Sequence, residues 1–211
     1  MTAPLERIAA VVGAVARQAL ADRGAHRVAL LYDGGPEAGL AARLLAGQLG
    51  DGAVERVGVA EGEVEPLLHP GGPVDRARLA EELRRLRARC LEGAVPAHPA
   101  NKTALLLGGE LPPEPLLPLG DLWATEVAAL ADGWSAPDAV LRLADEAGGI
   151  EALDAALRQL VDGRRPDALD ALPFAAREGV RRALAAGRAA RLFPRIVPKL
   201  GVRTLGLDLL E

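Results

Sequence analysis

Cysteine is almost absent from this chain. Cys90 is the only one among 211 residues, so no internal disulfide can form and a cytoplasmic, reducing setting is expected. Aromatic residues are also scarce, with two Trp, two Phe and one Tyr, although half of the chain is hydrophobic. The core must therefore be built from Ala, Leu and Val, which suits helices packed on a parallel sheet. Only three histidines occur (His26, His69, His98), all near turns or prolines and without Cys or carboxylate neighbours at metal-site spacing. They are expected to face solvent. No stretch of eighteen uninterrupted apolar residues exists, which argues against a membrane span. The first residues read as an amphipathic helix (Leu5, Ile8, Val12, Val15) carrying Glu6, Arg7 and Arg17, not as a signal peptide.

Charge is uneven. The net value is −4, yet residues 177–203 hold seven Arg and Lys199 against Glu178 alone, a surplus of +7 that leaves −11 elsewhere. Such a basic segment suits an anionic ligand or an acidic partner surface, and equally a solvated helix face. Nucleic acid is the poorest match, because the basic stripe lacks interleaved aromatics and the whole chain is acidic.

Periodicity predicts helices over 4–22, 37–49, 75–92, 121–132, 150–162 and 174–192, and strands over 28–32, 53–60 and 103–109. Leu79, Leu83, Leu86 and Cys90 form one apolar stripe, so Cys90 reads as a small buried hydrophobe. Ser135, Pro137 and Asp138 signal a further helix start. No internal repeat or low-complexity linker interrupts the chain. The expectation is one domain over 1–211: a sheet core with flanking helices (1–132), C-terminal helices (133–193) and a proline-spaced tail (194–211). Its β-α-β-α-β order predicts a three-layer α/β/α sandwich with a mostly parallel sheet.

Three stretches carry a family signal: "LLYDGGPEAG" (30–39), "LLPLGDLWATEVAALA" (116–131) and "PKLGVRTLGLD" (198–208). In order and separation they resemble the ammonia-dependent NAD synthetases, of the adenine nucleotide α-hydrolase-like, PP-loop ATP pyrophosphatase type. The corresponding family runs are Ser-Gly-Gly-x-Asp-Ser, Pro-(Ile/Leu)-x-Asp-Leu-(Tyr/Thr)-Lys-Thr-(Gln/Glu)-Val and Lys-x-Ser-x-Arg-x-Phe-Gly-x-Asp. The resemblance implies a homodimer, or a heteromer with a related chain, and ATP with Mg²⁺ as cofactors. The implied reaction is amidation of deamido-NAD by way of an adenylylated carboxylate. That chemistry needs backbone N–H donors, a metal-binding carboxylate and cations for phosphates.

Residue by residue, the implied machinery is incomplete. Gly34 and Gly35 match the paired glycines and permit close backbone approach to a phosphate. Asp33 stands where the family has Ser and would repel an anion unless a metal intervenes. Glu37 stands at the metal-linked Asp and adds a methylene, Ala38 replaces the last Ser, and Pro36 removes an N–H group. Ala124 stands at the Lys of the middle run. Two alignments remain open after the third strand. By letters, "HPANKTALLLG" matches the family's "GTGNKTELLLG" and puts Ala104 at its Glu. By strand-forming character "TALLLGG" is favoured over "AVPAH", leaving Glu110 or Glu114 to supply a carboxylate.

The favoured expectation is a diverged NAD synthetase-like protein with little or no amidation. It would bind a nucleotide or another anion through Asp33, Gly34, Gly35 and the basic C-terminal segment. The first alternative is a working ATP-dependent ligase in which Glu37 and Glu110 hold the metal and Arg191, Lys199 and Arg203 the phosphates. The second is an inactive partner of an active paralogue.

Overall fold

The computed structural model describes residues 2–32, 34–58, 92–107, 115–131, 133–134, 136, 138–187 and 196–200. The predicted helix 75–92, with Cys90 and its leucine stripe, lies outside them except for Glu92, which stands in a turn. The chain opens with helix α1 (Thr2–Arg23), which buries Val12, Ala16 and Ala19 along one stripe. Gly24 ends it at φ +58°, and the Ala25 N–H donates back to the Leu20 carbonyl at 2.9 Å. This left-handed glycine closure satisfies a carbonyl that the helix end would otherwise orphan.

Strand β1 (Arg27–Tyr32) leads through the glycine turn into helix α2 (Pro36–Leu49). A short 3₁₀ turn (Asp51–Ala53) then enters β2 (Val54–Gly58), and β3 (Ala94–Ala97) follows. Both neighbours of β1 run parallel to it, in the order β2-β1-β3, with Val28 opposite Val54 on one side and Val95 on the other. Two further parallel positions continue from β3 as single-residue bridges, Ala97 to Leu116 and Leu116 to Ile196. The architecture is thus α/β around a small parallel sheet.

The third strand corrects the sequence reading. "AVPA" is the strand, whereas "KTALL" forms helix α3 (Lys102–Leu106). Pro96 counts against the strand in the sequence because it cannot donate to a ladder. Its carbonyl, however, accepts the Leu116 N–H at 2.7 Å, so its missing N–H lies on the sparsely bridged side and costs β1 nothing. The run 102–107 is buried throughout, and periodicity alone cannot separate such a helix from a buried strand. Asn101 decides it: its side chain accepts the Ala104 N–H at 3.0 Å and caps the helix.

Helix α4 (Ala124–Ala131) starts three residues later than the pattern predicts, because turns through Gly120 and Leu122 precede it. Helices α5 (Asp138–Ala147), α6 (Ile150–Val161) and α7 (Phe174–Ala186) follow, with a 3₁₀ turn at Pro166–Ala171. Gly148 (φ +89°) and Gly149 (φ +120°) break α5 from α6.

Two apolar clusters form. One joins Val12, Val28, Leu30, Leu40, Leu45 and Val95 around the sheet. The other joins Val140, Leu153, Leu157 and Val180 of the C-terminal helices to Leu106 and Trp123. Helix α4 contributes Val127 to the first cluster and Ala124 to the second. The residues read as a tail begin as a sheet position at Ile196, and the Leu200 N–H donates to Asp121 at 2.8 Å.

Candidate functional site

The strand order reverses between β1 and β3, and in open α/β sheets ligands settle outside the carboxyl ends of strands flanking such a reversal. The loop after β1 carries the glycines. Gly34 adopts φ +82°, a conformation that a side chain would strain. Gly35 caps α2 in extended geometry, and Pro36 occupies the first helical turn. The first intrahelical bond is Gly39 N–H to the Gly35 carbonyl at 3.0 Å. The backbone shape of a phosphate turn is therefore present.

The side chains around it differ from what a phosphate and metal require. Glu37 is 5% exposed and Ala38 is fully buried, so both point into packed protein. No group of three or more His, Cys, Asp or Glu side chains converges among the described residues. Lys199 is exposed three residues past Ile196, a sheet position beyond β3 and Leu116. Asp33, Glu110, Arg191 and Arg203 lie outside the described residues. His26 is exposed as expected. His98 is not: it is half-buried, and its Nδ1 accepts the Ala100 N–H at 3.1 Å, closing the turn after β3.

That turn leads into a buried polar cluster not anticipated from sequence. Asn101, Lys102, Thr103 and Asp154 are all at most 3% exposed. The Thr103 hydroxyl donates to Asp154 Oδ1 at 2.6 Å and accepts the Ala124 N–H at 3.0 Å. Asp154 Oδ2 accepts the Thr125 N–H at 2.8 Å, and Glu126 reaches back to the Trp123 N–H at 2.9 Å. Three successive N–H groups at the start of α4 are thus taken by the protein's own oxygens, two of them carboxylate oxygens that suit the helix dipole.

The cations are committed too. The Lys102 ammonium donates to Asp162 at 3.0 Å and lies 4.7 Å from the centre of the Trp123 ring. Arg158 lies 5.3 Å from the same ring, pairs with Glu126 at 3.3 Å and donates to the Thr125 hydroxyl at 3.2 Å. Trp123 is 3% exposed and forms the floor of this cluster. A buried charge left unpaired would be costly, and here each charge has a counter-charge or charge-assisted hydrogen bonds. The cluster's chemistry is structural: it orients α4 and ties it to α6. The letters "NKT" are its only sequence signal, since Asp154 lies 51 positions from Thr103.

Toward the C-terminal end of α2, away from the glycine turn, a shallow cavity of about 380 Å³ is lined by Ala42, Ala46, Asp51, Val54 and Arg56. Arg56 also stacks over Tyr32 at 5.3 Å. No helix among the described residues is long and apolar enough to cross a membrane. No protein-family model matches the chain, and comparison with curated proteins finds no match.

Proposed function

We propose that this chain is a diverged NAD synthetase-like protein, of three-layer α/β/α architecture, that has lost amidation chemistry. In this reading it keeps weak anion binding through the backbone of its glycine turn. The observation that carries it is a set of three buried alanines. With Asn101 capping α3 after β3, the alignment of "HPANKTALLLG" to "GTGNKTELLLG" gains support over its rival. In that frame Ala38, Ala104 and Ala124 stand where the resembled family has a Ser, a Glu and a Lys. They are 0%, 9% and 0% exposed. A methyl group sealed in packed protein neither binds phosphate, holds a metal nor neutralises a leaving group.

The donor set at the turn supports the same reading. A magnesium ion is usually held by one or two accessible carboxylates together with waters and substrate phosphates, and the carboxylate that the described part of the turn offers, Glu37, is 5% exposed. A working ligase would depend on Glu110, Arg191 and Arg203 to restore the whole charge complement. Each missing charge-assisted hydrogen bond withdraws about 1.5–3 kcal/mol, so two missing together take a micromolar nucleotide complex, worth about 8 kcal/mol, into the millimolar range near ~4 kcal/mol.

The decisive experiment incubates purified protein with deamido-NAD, ATP, Mg²⁺ and ammonia and follows NAD by chromatography. A calorimetric titration with ATP, with and without Mg²⁺, runs beside it. The expected result is no NAD and heat only at millimolar nucleotide, unaffected by metal. Turnover, or metal-dependent ATP binding at micromolar strength, overturns the proposal.

A further inference from the structure

Three charged side chains at the end of the helical cluster fall on one line. Asp154 and Arg158 lie on α6, and Asp162 caps it, a spacing of four residues each time that places them on one face. Each reaches outside the C-terminal helices. Asp154 holds Thr103 and the Thr125 N–H, Arg158 holds Glu126 and the Thr125 hydroxyl, and Asp162 holds Lys102. The segment 138–187 leaves the sheet-bearing part after α4, and the chain is back on the sheet at Ile196. Its apolar residues form a cluster separate from the one around the sheet, and that cluster reaches outside the segment only to Leu106, Leu107, Trp123 and Ala124 and to the partly buried Trp134 and Ala136.

From this arrangement we propose that α5, α6 and α7 open from the sheet-bearing part as one cooperative unit. The Asp154–Arg158–Asp162 stripe is the latch, and its release uncovers Lys102 and Thr103 at the carboxyl end of β3. The physical reason is the all-or-none character of buried charge. A small separation that admits no water strands Asp154 and Lys102 without partners, whereas full opening hydrates them, so intermediate positions are disfavoured. Apolar contacts alone would loosen gradually. Opening in such units, at free energies below global unfolding, is the ordinary behaviour of supersecondary segments.

Native-state hydrogen exchange on the full chain tests this. In the unmodified protein, amides of α5, α6 and α7 should share one opening equilibrium, weaker than that of β1 and α2. In Asp154→Asn, exchange in 138–187 and 102–107 should rise together, roughly tenfold or more, while β1 and α2 keep their rates. If Asp154→Asn does not fold, Arg158→Met, at a position 38% exposed, is read the same way. Exchange that rises evenly through β1, α2 and the C-terminal helices overturns the proposal, as does a rise confined to the first turn of α4. Equal protection of α2 and α5–α7 in the unmodified protein overturns it as well.

Discussion

Gly13, in the middle of α1, tests whether the packing of α1 on α2 is as tight as its geometry implies. A Cβ at this position would sit 2.5 Å from Gln48 Cβ, 2.7 Å from Gln48 Cγ and 2.9 Å from its Oε1. Ordinary carbon–carbon contact lies near 3.5–4.0 Å, so Gly13→Ala requires the two helices to part by roughly 1 Å. The obstructing atom is a Cβ, fixed to the α2 backbone, and rotating Gln48 cannot move it. Overpacking of this kind costs about 1–3 kcal/mol, while alanine gains about 1 kcal/mol over glycine in a helix interior. The net expectation is a destabilisation of about 0–2 kcal/mol. For a chain of this size that lowers the melting temperature by up to a few degrees, at about 2–4 °C per kcal/mol. Urea unfolding followed by circular dichroism reads the change. Gly47→Ala is the control, since Gly47 lies on α2 with nothing within 4 Å of its would-be Cβ, and it should stabilise. Combining Gly13→Ala with Gln48→Gly should relieve most of the overpacking, whereas Gln48→Ala should relieve none, because it keeps the offending carbon. A Gly13→Ala protein more stable than the parent, or rescue by Gln48→Ala, would refute the packing argument.

Other perturbations follow from the same reasoning. Asn101→Ala removes the α3 cap and should cost about 1–2 kcal/mol in urea unfolding, with Asn101→Asp costing much less. Leu153→Ala, at a fully buried position, should cost about 2–5 kcal/mol, whereas Phe174→Ala, at a position 71% exposed, should shift the midpoint little. Gly179→Ala should be milder than Gly13→Ala despite the same 2.5 Å approach, because the atom it meets is Leu143 Cδ2, the movable end of a side chain. The Arg165 side chain hydrogen-bonds Asp167 and holds its carboxyl below the usual carboxylate range. A carboxyl lowered in the folded state favours folding above its unfolded value and loses that contribution as pH falls through the lowered one. Arg165→Ala should therefore raise the Asp167 titration seen by carbon-detected NMR toward the ordinary value, with stability nearly unchanged at this exposed pair.

Much of the framework was legible because its signals are local. The stripe of α1, the glycine turn after β1, the Ala/Leu run of α2 and the starts of α6 and α7 each sit within a few residues of their predicted places. What escaped were features whose cause lies elsewhere in the chain. Pro96 reads as a strand breaker until its carbonyl is seen meeting Leu116, whereas "TALLL" did carry a local signal, the capping Asn101, which its run of apolar residues outweighs. The same holds for function. Gly34 could be read from letters, since a positive φ leaves few choices of residue. The burial of Ala38 and Glu37, and the pairing of Lys102 with Asp162, are decided by neighbours dozens of positions away, which no pattern in a single segment encodes.

The single-residue bridges at Leu116 and Ile196 also set a schedule for synthesis. Residues 2–58 can begin to collapse as they leave the ribosome, since α1, β1, α2 and β2 need only one another for their first contacts. The next positions of the sheet cannot be completed so early. The buried Leu117 N–H is satisfied by the Ile196 carbonyl at 2.9 Å, and the Ile196 N–H by the Pro115 carbonyl at 3.1 Å. Until translation reaches Ile196, this edge presents an unmet donor and acceptor beside Leu116 and Leu117, both apolar. At 5–20 residues per second the interval between Leu117 and Ile196 is on the order of several seconds. For that time the nascent chain carries a sheet edge of the kind that other chains can pair with. A chaperone acting on this protein would have its work concentrated there.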